Sequence, residues 1–547
     1  MHRIARYVLP SVVILLIGLI GGSAASTTSP PSRQDIAKKI LSSPAGNYLT
    51  APARAYVESV ARGDHRVAPD SSGLAQKGAR ITSGKPAGGG SLANVRVNNP
   101  ASDTHQTDQT TQSETAIAVS GSNVVVGYND SQQALLFLTA GGNLSGVAYS
   151  SDGGQTFTDG GTLPAVPGNV NLGDPWLASD GGGTFYYSTL TIDFNVFDLL
   201  VGVSRSTDGG KTWTPATPIP PPAGALFYFA DKDALTTGPG NGNLYDTWDD
   251  FTFDPTTFQG FSGLPVAHST DGGQTWTTSY ASKVQLFGNG CSFNQYIGAQ
   301  PLAVSSSTIF EAAELISVND PNCTFNVPAT FSEAVFVSND GGSTWSGGAA
   351  SGARTAGTVI PVTSSTQGTG FFILGHSKLM RNLEFPTLAA FKNSVYLAWN
   401  DGGDGSGHSH IRLAQLDMSG QLIGTTFVTS GTNDEIQPTL TADSSLHVAY
   451  YQISTAADGT GQLDVFVSNS PNASTWRTRR VTSQSFPGVF TVPQFDPIIV
   501  WGYMGDYIAS ATDGQHQYMA WGDNRDTVTN FLWPSGRNDP DVFFAKQ

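Results

Sequence analysis

Apolar and polar positions along this chain recur in one unit. An acidic or polar residue opens a short apolar stretch and a turn follows. A second stretch then alternates apolar with polar and closes on an aromatic and an Asn or Asp. The clearest copies are Glu384–Asp401 and Asp506–Asp523; others open at Glu114, Asp174, Asp231, Gln300 and Glu435. Period-two alternation between turn residues predicts paired β-strands, so seven such hairpins are expected across residues 94–547. Residues 33–66 alone carry a weak helical pattern (Ile36, Ile40, Tyr56, Val57, Val60), which Pro44 and Pro52 are expected to break. Residues 67–93 are rich in Gly, Ser and Ala and read as a linker, so 26–93 forms an N-terminal extension, a pro-region, spacer or small cap.

A second repeat sits after several of these hairpins. Ser150–Phe157, Ser206–Trp213, Ser269–Trp276 and Ser338–Trp345 all read Ser-x-Asp-x-Gly-x-Thr-aromatic, and Ser468–Trp476 is a looser copy without the Asp. Asp152, Asp208, Asp271 and Asp340 are separated by 56, 63 and 69 residues. Those intervals suit one four-stranded unit per repeat. Asp-Gly-Gly is a turn signal, because glycine takes positive φ freely and the Asp side chain accepts N–H bonds inside the turn. Turn chemistry accounts for these four aspartates as structural residues.

The boxes resemble the Asp-box, or bacterial-neuraminidase repeat, of sialidase-like β-propellers. The resemblance implies an all-β propeller, with boxes at the rim and chemistry at the central channel. Seven hairpin units favour seven four-stranded blades, with the six usual for sialidases as the alternative. Ring closure needs an outer strand for the last unit, since Asp541–Lys546 looks like a third strand; Asn94–Asn98 is the candidate.

The sialidase resemblance also implies three substrate-binding arginines, the first in Arg-Ile-Pro on the opening strand, an Asp acid/base and a Tyr–Glu nucleophile pair. This chain departs from that pattern. Its opening strand, Ser113–Val119, has no arginine, and Arg-Ile-Pro is absent. Arg477, Arg479 and Arg480 fall on an outer strand, and Arg525 follows the last hairpin; Tyr503 and Tyr507 lie near Asp506. Sialidase activity of the usual kind is not expected. Phosphate-loop, G-x-S-x-G and HExxH motifs are absent as well.

The candidate chemistry is carboxylate-based. In a propeller the starts of the innermost strands converge on the channel, which selects Glu114, Asp174, Asp231, Glu384, Glu435 and Asp506 as ligand-binding candidates, with Gln300 in the fourth unit and Arg525 nearby. Such a ring either binds a hard cation such as calcium or bonds to backbone amides of the next blade. The Gly-rich loop Asp401–His410 adds Asp401 and Asp404 as metal-ligand candidates, although its spacing is not that of a helix–loop–helix calcium site. Trp176, Trp248, Trp399, Trp501, Trp521 and Trp533 offer either sugar-stacking surface or blade packing.

Composition narrows the setting. Met1–Ala25 has basic Arg3 and Arg6, an apolar Val8–Ile20 run and a small-residue Ser23–Ala25 end, as in a signal peptide, and implies a secreted or periplasmic protein without stable membrane insertion after cleavage. The net charge of −16 argues against nucleic-acid partners. Cys291 and Cys323 are the only cysteines, and in an exported chain they are expected to pair. The first functional expectation is a module binding an extracellular glycan, polysaccharide or surface protein, with a structural Ca2+ as its one candidate cofactor. The alternative is a glycoside hydrolase using channel-face carboxylates, which needs two carboxyls about 5–10 Å apart.

Overall fold

The computed structural model describes residues 31–63, 80–81, 92–104, 108–136, 142–221, 227–254, 257, 259–324, 327, 329–347, 355–359, 382–402, 406–455, 461–488, 504–531 and 533–547. The leader-like segment 1–25, Asp404, Trp501 and Tyr503 lie outside these residues. Beyond an N-terminal helical hairpin the architecture is all-β and propeller-like, with six sheets of four to eight strands.

Each sheet is built from antiparallel meanders, as the alternating runs dictate. In the first, Gln112–Ser120, Asn123–Asp130, Ser145–Ser150 and Phe157–Thr162 pair in order, with Arg80–Ile81 added outside. The eight-stranded sheet holds two such meanders, Asn169–Ser179 to Thr217–Pro218 and Phe227–Thr237 to Thr277–Gln285. One parallel pair, Phe229 with Leu199, joins them. The remaining sheets open on Phe293–Ala303, Thr387–Phe391, Asp434–Ala442 and Ala509–Thr512.

These opening strands pack against one another in succession, and Ala509–Thr512 returns to Gln112–Ser120. In the closing sheet Val95–Arg96 pairs with the chain's last strand, Arg537–Lys546, through Val95 with Phe544 and Arg96 with Phe543. The segment ahead of the first meander thus supplies the outer strand expected of Asn94–Asn98, pairing with the last strand of the propeller-like region.

Second-strand aromatics fill the space between sheets. Trp248, Trp399 and Trp521 are fully buried, which settles them as packing residues. The polar residue after the aromatic has its own task. Asn129 Oδ1 accepts the Asp174 N–H at 2.8 Å, Asp249 Oδ1 that of Gly298 at 3.1 Å, and Asn400 Oδ1 that of Gln437 at 3.2 Å. Each bond ties a backbone amide at an inner-strand bulge to the preceding meander. The aromatic-plus-Asn/Asp ending is therefore the linkage between neighbouring units.

Each box joins the third strand of a unit to its fourth. Asp271 accepts the Thr275 N–H at 2.9 Å, the Thr275 hydroxyl at 2.6 Å and the Ser269 hydroxyl at 2.8 Å. Asp152, Asp208 and Asp340 repeat the Thr hydroxyl bond at 2.6 Å. Both glycines of all four boxes have φ between +73° and +90°, a region where a side chain is strained. The loose fifth copy begins at Ser470 rather than Ser468. Asn472 takes the Asp place, accepting the Thr475 N–H at 2.9 Å, and Ala473 takes a positive φ of 60°.

The hairpin comprises α1 (Arg33–Ser42) and α2 (Ala51–Arg62). Ser32 and Asp35 form a capping box on α1, Thr50 caps α2, and Gly63 closes α2 at φ +80°. Pro52 does not break the pattern: it sits in the first turn of α2, where no intrahelical N–H is needed. Pro44 opens the short 3-10 turn between the helices. Ile36, Ile40, Leu49, Tyr56, Val57 and Val60 are buried in one core cluster with Phe197, Phe227 and Phe293 of the sheets. Cys291 and Cys323 are disulfide-bonded, with Cα atoms 4.9 Å apart.

Candidate functional site

Bulges at the inner strands place the polar candidates. A ladder break falls between Ser113 and Ala116, Gly173 and Trp176, Asp231 and Asp233, Ile297 and Gln300, and Ile436 and Thr439. At these breaks Glu114, Asp174, Lys232, Gly298 and Gln437 take positive φ. An extra residue there turns the strand and re-aims its side chains.

Four of the expected residues are brought together. Glu114 accepts the Asp506 N–H at 2.9 Å and the Asn129 side-chain N–H at 2.6 Å. Its carboxyl is also the hydrogen-bond partner of Asp174, which feels the charge of neighbouring Asp231. No N–H or hydroxyl donor reaches either Asp174 oxygen among the described residues. Burial, then the Asp231 charge, pushes the Asp174 carboxyl up to about 7. Glu114 thus holds the Asp174 carboxyl in place while itself bonded to Asn129 and to the Asp506 backbone.

The other candidates lie elsewhere. Glu384 meets Glu314 and Glu333 of the third sheet, and Gln300 Oε1 is occupied by the Leu388 N–H at 2.7 Å. Glu435 precedes the bulge that Gln437 occupies, and it accepts from Thr429 at 3.0 Å and Gln452 at 2.9 Å. Arg525 grips Asp523 at 2.5 Å and also reaches Ser483 and Asn94. Asp401 pairs with Arg412 at 2.7 Å.

Several residues of the channel were not singled out from the sequence. Lys232, 2% exposed, holds its Nζ 4.3 Å from the Trp176 ring and 4.2 Å from the Tyr507 ring, and donates to the Asp233 carbonyl at 2.6 Å. It lines a central cavity of about 30 Å³ with Trp176, Phe385, Pro438 and Tyr507. That volume admits a water or two and no sugar ring. Asp233 and Asp246 are buried beside Lys232; burial raises Asp233 to about 7 and Asp246 well above the ordinary range. The string Asp231-Lys232-Asp233 was the available signal, but strict alternation hides a bulge.

The hairpin lies over this region. Thr50 donates its N–H to Asp231 Oδ2 at 3.0 Å and its hydroxyl to Asp231 Oδ1. Tyr48, in the turn between the helices, sits 6.1 Å from Phe293 and feels the charges of Glu314 and Glu384. Arg33 binds Asp198 at 2.6 Å, and Tyr56 donates to the Phe197 carbonyl at 2.7 Å. The turn therefore reaches over the strand starts that present Asp231 and Glu384.

A separate acidic cluster, Asp103, Asp539 and Asp541, is buried at the closing sheet. It places one oxygen from each carboxylate within 4.8 Å of the others, a geometry able to coordinate a metal ion. No helix among the described residues is long and apolar enough to cross a membrane.

The chain resembles the sialidase-like Asp-box propellers. No protein-family profile and no curated protein matches it. Among solved structures, it is similar to the Hadza microbial sialidase Hz136 at 15% identity, covering 71% of this chain and 68% of that one, with a TM-score of 0.38. The α-L-arabinofuranosidase Arb93A from Fusarium graminearum is 13% identical over 69% of this chain and 98% of that one, with a TM-score of 0.41. A Trypanosoma rangeli sialidase is 14% identical over 72% of this chain and 59% of that one, at 0.39. Likeness of this degree transfers no residue role to this chain.

Proposed function

We propose that this chain is an exported, seven-bladed Asp-box propeller that hydrolyses glycosidic bonds with carboxyl groups at the starts of its inner strands. The eight-stranded sheet counts as two blades, since a single bridging pair joins its two meanders. The observation that carries the activity is Asp174, a buried carboxyl free of N–H donors among the described residues and raised to about 7. A group poised there gives and takes a proton at neutral pH, as general acid–base hydrolysis requires. Carboxyls in direct hydrogen-bond contact are too close to flank a glycosidic bond, so Glu114 positions Asp174 and is not the second carboxylate. Asp231, on the adjacent strand, is the second carboxylate of the reaction. The four box aspartates, spent on their turns, take no part.

Thr50 occupies both oxygens of Asp231, so the hairpin must leave before substrate enters. The test is a sugar-release screen over polysaccharides and aryl glycosides, with a protease site placed between Gly63 and Leu92 and cut in place. Release after cutting, with at least about a hundredfold loss in Asp174→Asn, is expected; no release from any glycan overturns the reading. A second reading, a glycan-binding module without turnover, draws on the ring members bonded to backbone amides, Glu114, Asp249 and Gln300. Retention of glycan without release would favour it.

A further inference from the structure

The closing sheet joins Val95–Arg96 to the last strand, and among the described residues its buried charge does not balance. Asp539 and Asp541 alternate on the last strand and so share a face. Asp103 follows the turn Pro100–Ser102 in the N-terminal segment that runs on from Val95–Arg96. The three residues are 8% exposed for Asp103, 4% for Asp539 and 1% for Asp541.

Two guanidinium groups stand nearby, and both are committed. Arg537 divides itself between Asp108 and Asp539, at 3.0 Å from each. Arg96 is bonded to Asp526 and forms a longer ion pair with Asp541 Oδ2 at 3.6 Å. With Asp130 also acting on Asp103, six carboxyls face two cations among the described residues.

A second observation points to a ligand. Asp103 Oδ2 is buried and meets no hydrogen-bond donor among the described residues, while its other oxygen accepts from Gln112 at 2.9 Å. Asp541 Oδ2 is buried against the Arg96 ion pair, its carboxyl also meets that of Asp526, and its other oxygen accepts from Asn98 at 2.7 Å. A buried carboxylate oxygen without a donor is costly, and either a proton or a metal ion relieves it.

We propose that Asp103, Asp539 and Asp541 bind a calcium ion that pins the N-terminal segment to the last strand and locks the ring. The donors are all carboxylate oxygens, with no His or Cys among them, which selects a hard cation over zinc or copper. Calcium is favoured over magnesium because it accepts several protein oxygens in irregular geometry, whereas magnesium keeps most of its waters.

The test uses the full chain stripped with chelator, calcium chloride as the probe, and thermal unfolding at pH 7 as the readout. The expected result is a rise of Tm with calcium, by several degrees at saturation, that disappears in Asp103→Asn and persists in Asp340→Asn, a box aspartate at the rim. Titration calorimetry should show one calcium ion bound per chain. No calcium-dependent rise, or an equal rise in Asp103→Asn, overturns the proposal. Asp539→Asn takes its place in the comparison if that variant fails to fold.

Discussion

Replacing Glu314 by Gln should stabilise the protein at alkaline pH, an unusual outcome for the loss of a buried charged residue. Glu314 lies directly opposite Glu333 in the ladder of the third sheet, and its carboxyl is hydrogen-bonded to that of Glu384. All three are buried, and no Lys or Arg pairs with any of them among the described residues. Burial pushes Glu314 up to about 8, against an ordinary 4.5. A carboxyl raised in this way holds its proton in the fold after the unfolded chain has released it. Its contribution to stability is complete below pH 4.5 and is lost as pH rises towards about 8. The full cost across that window is about 5 kcal/mol as an upper figure, since relaxation and water entry reduce it. Gln keeps the shape and the hydrogen-bond donor and cannot ionise. The assay is calorimetric Tm for both proteins at pH 5 and pH 8.5, at fixed calcium. Equal Tm at pH 5 and a Tm several degrees higher for Glu314→Gln at pH 8.5 are expected. A variant less stable than the parent at pH 8.5 would refute the reasoning, because it would mean that Glu314 is ionised and well paired in the fold.

Further predictions concern the covalent and strand closures. Cys291→Ser with Cys323→Ser should lower stability by about 3–4 kcal/mol, since the bond closes a separation of 32 residues; calorimetry checks this, and an unchanged Tm contradicts it. Val95→Pro puts a proline in the strand that pairs with Phe544 and should lower Tm measurably, because proline cannot donate to the ladder. If Tm is unmoved, the outer strand contributes nothing to closure. Tyr56→Ala removes a fully buried ring packed against Phe197, Phe227 and Phe229, and should cost about 3–5 kcal/mol or detach the hairpin. Limited proteolysis between Gly63 and Leu92 followed by gel filtration distinguishes those two results.

Local patterns made much of the fold legible. The boxes mark the turns between third and fourth strands because only glycine follows that backbone freely, and the aromatic-plus-Asn/Asp endings mark second strands because they fasten the next bulge. Registration within a strand was harder. Glu435 and Gln437 are both polar and two apart, so alternation alone cannot say which one the bulge carries. The better signal was proline: Asp174-Pro175, Phe385-Pro386 and Gln437-Pro438 share a pattern that Glu435 lacks. Glu314 and Glu333 were missed because they lie on second and third strands, where a polar residue in an alternating run reads as solvent-facing. Asp103 and Asp541 are 438 residues apart and meet only through ring closure, so no spacing rule finds them. Pro52 was misleading because the same residue that stops a helix also starts one.

The most direct measurement is the pH dependence of sugar release by the chain cut between hairpin and propeller, compared with Asp174→Asn. The account predicts a release rate with an ionisation limb near pH 7 that is lost, along with nearly all the rate, in the variant. Glycan binding without release at any pH, unchanged in Asp174→Asn, would contradict it.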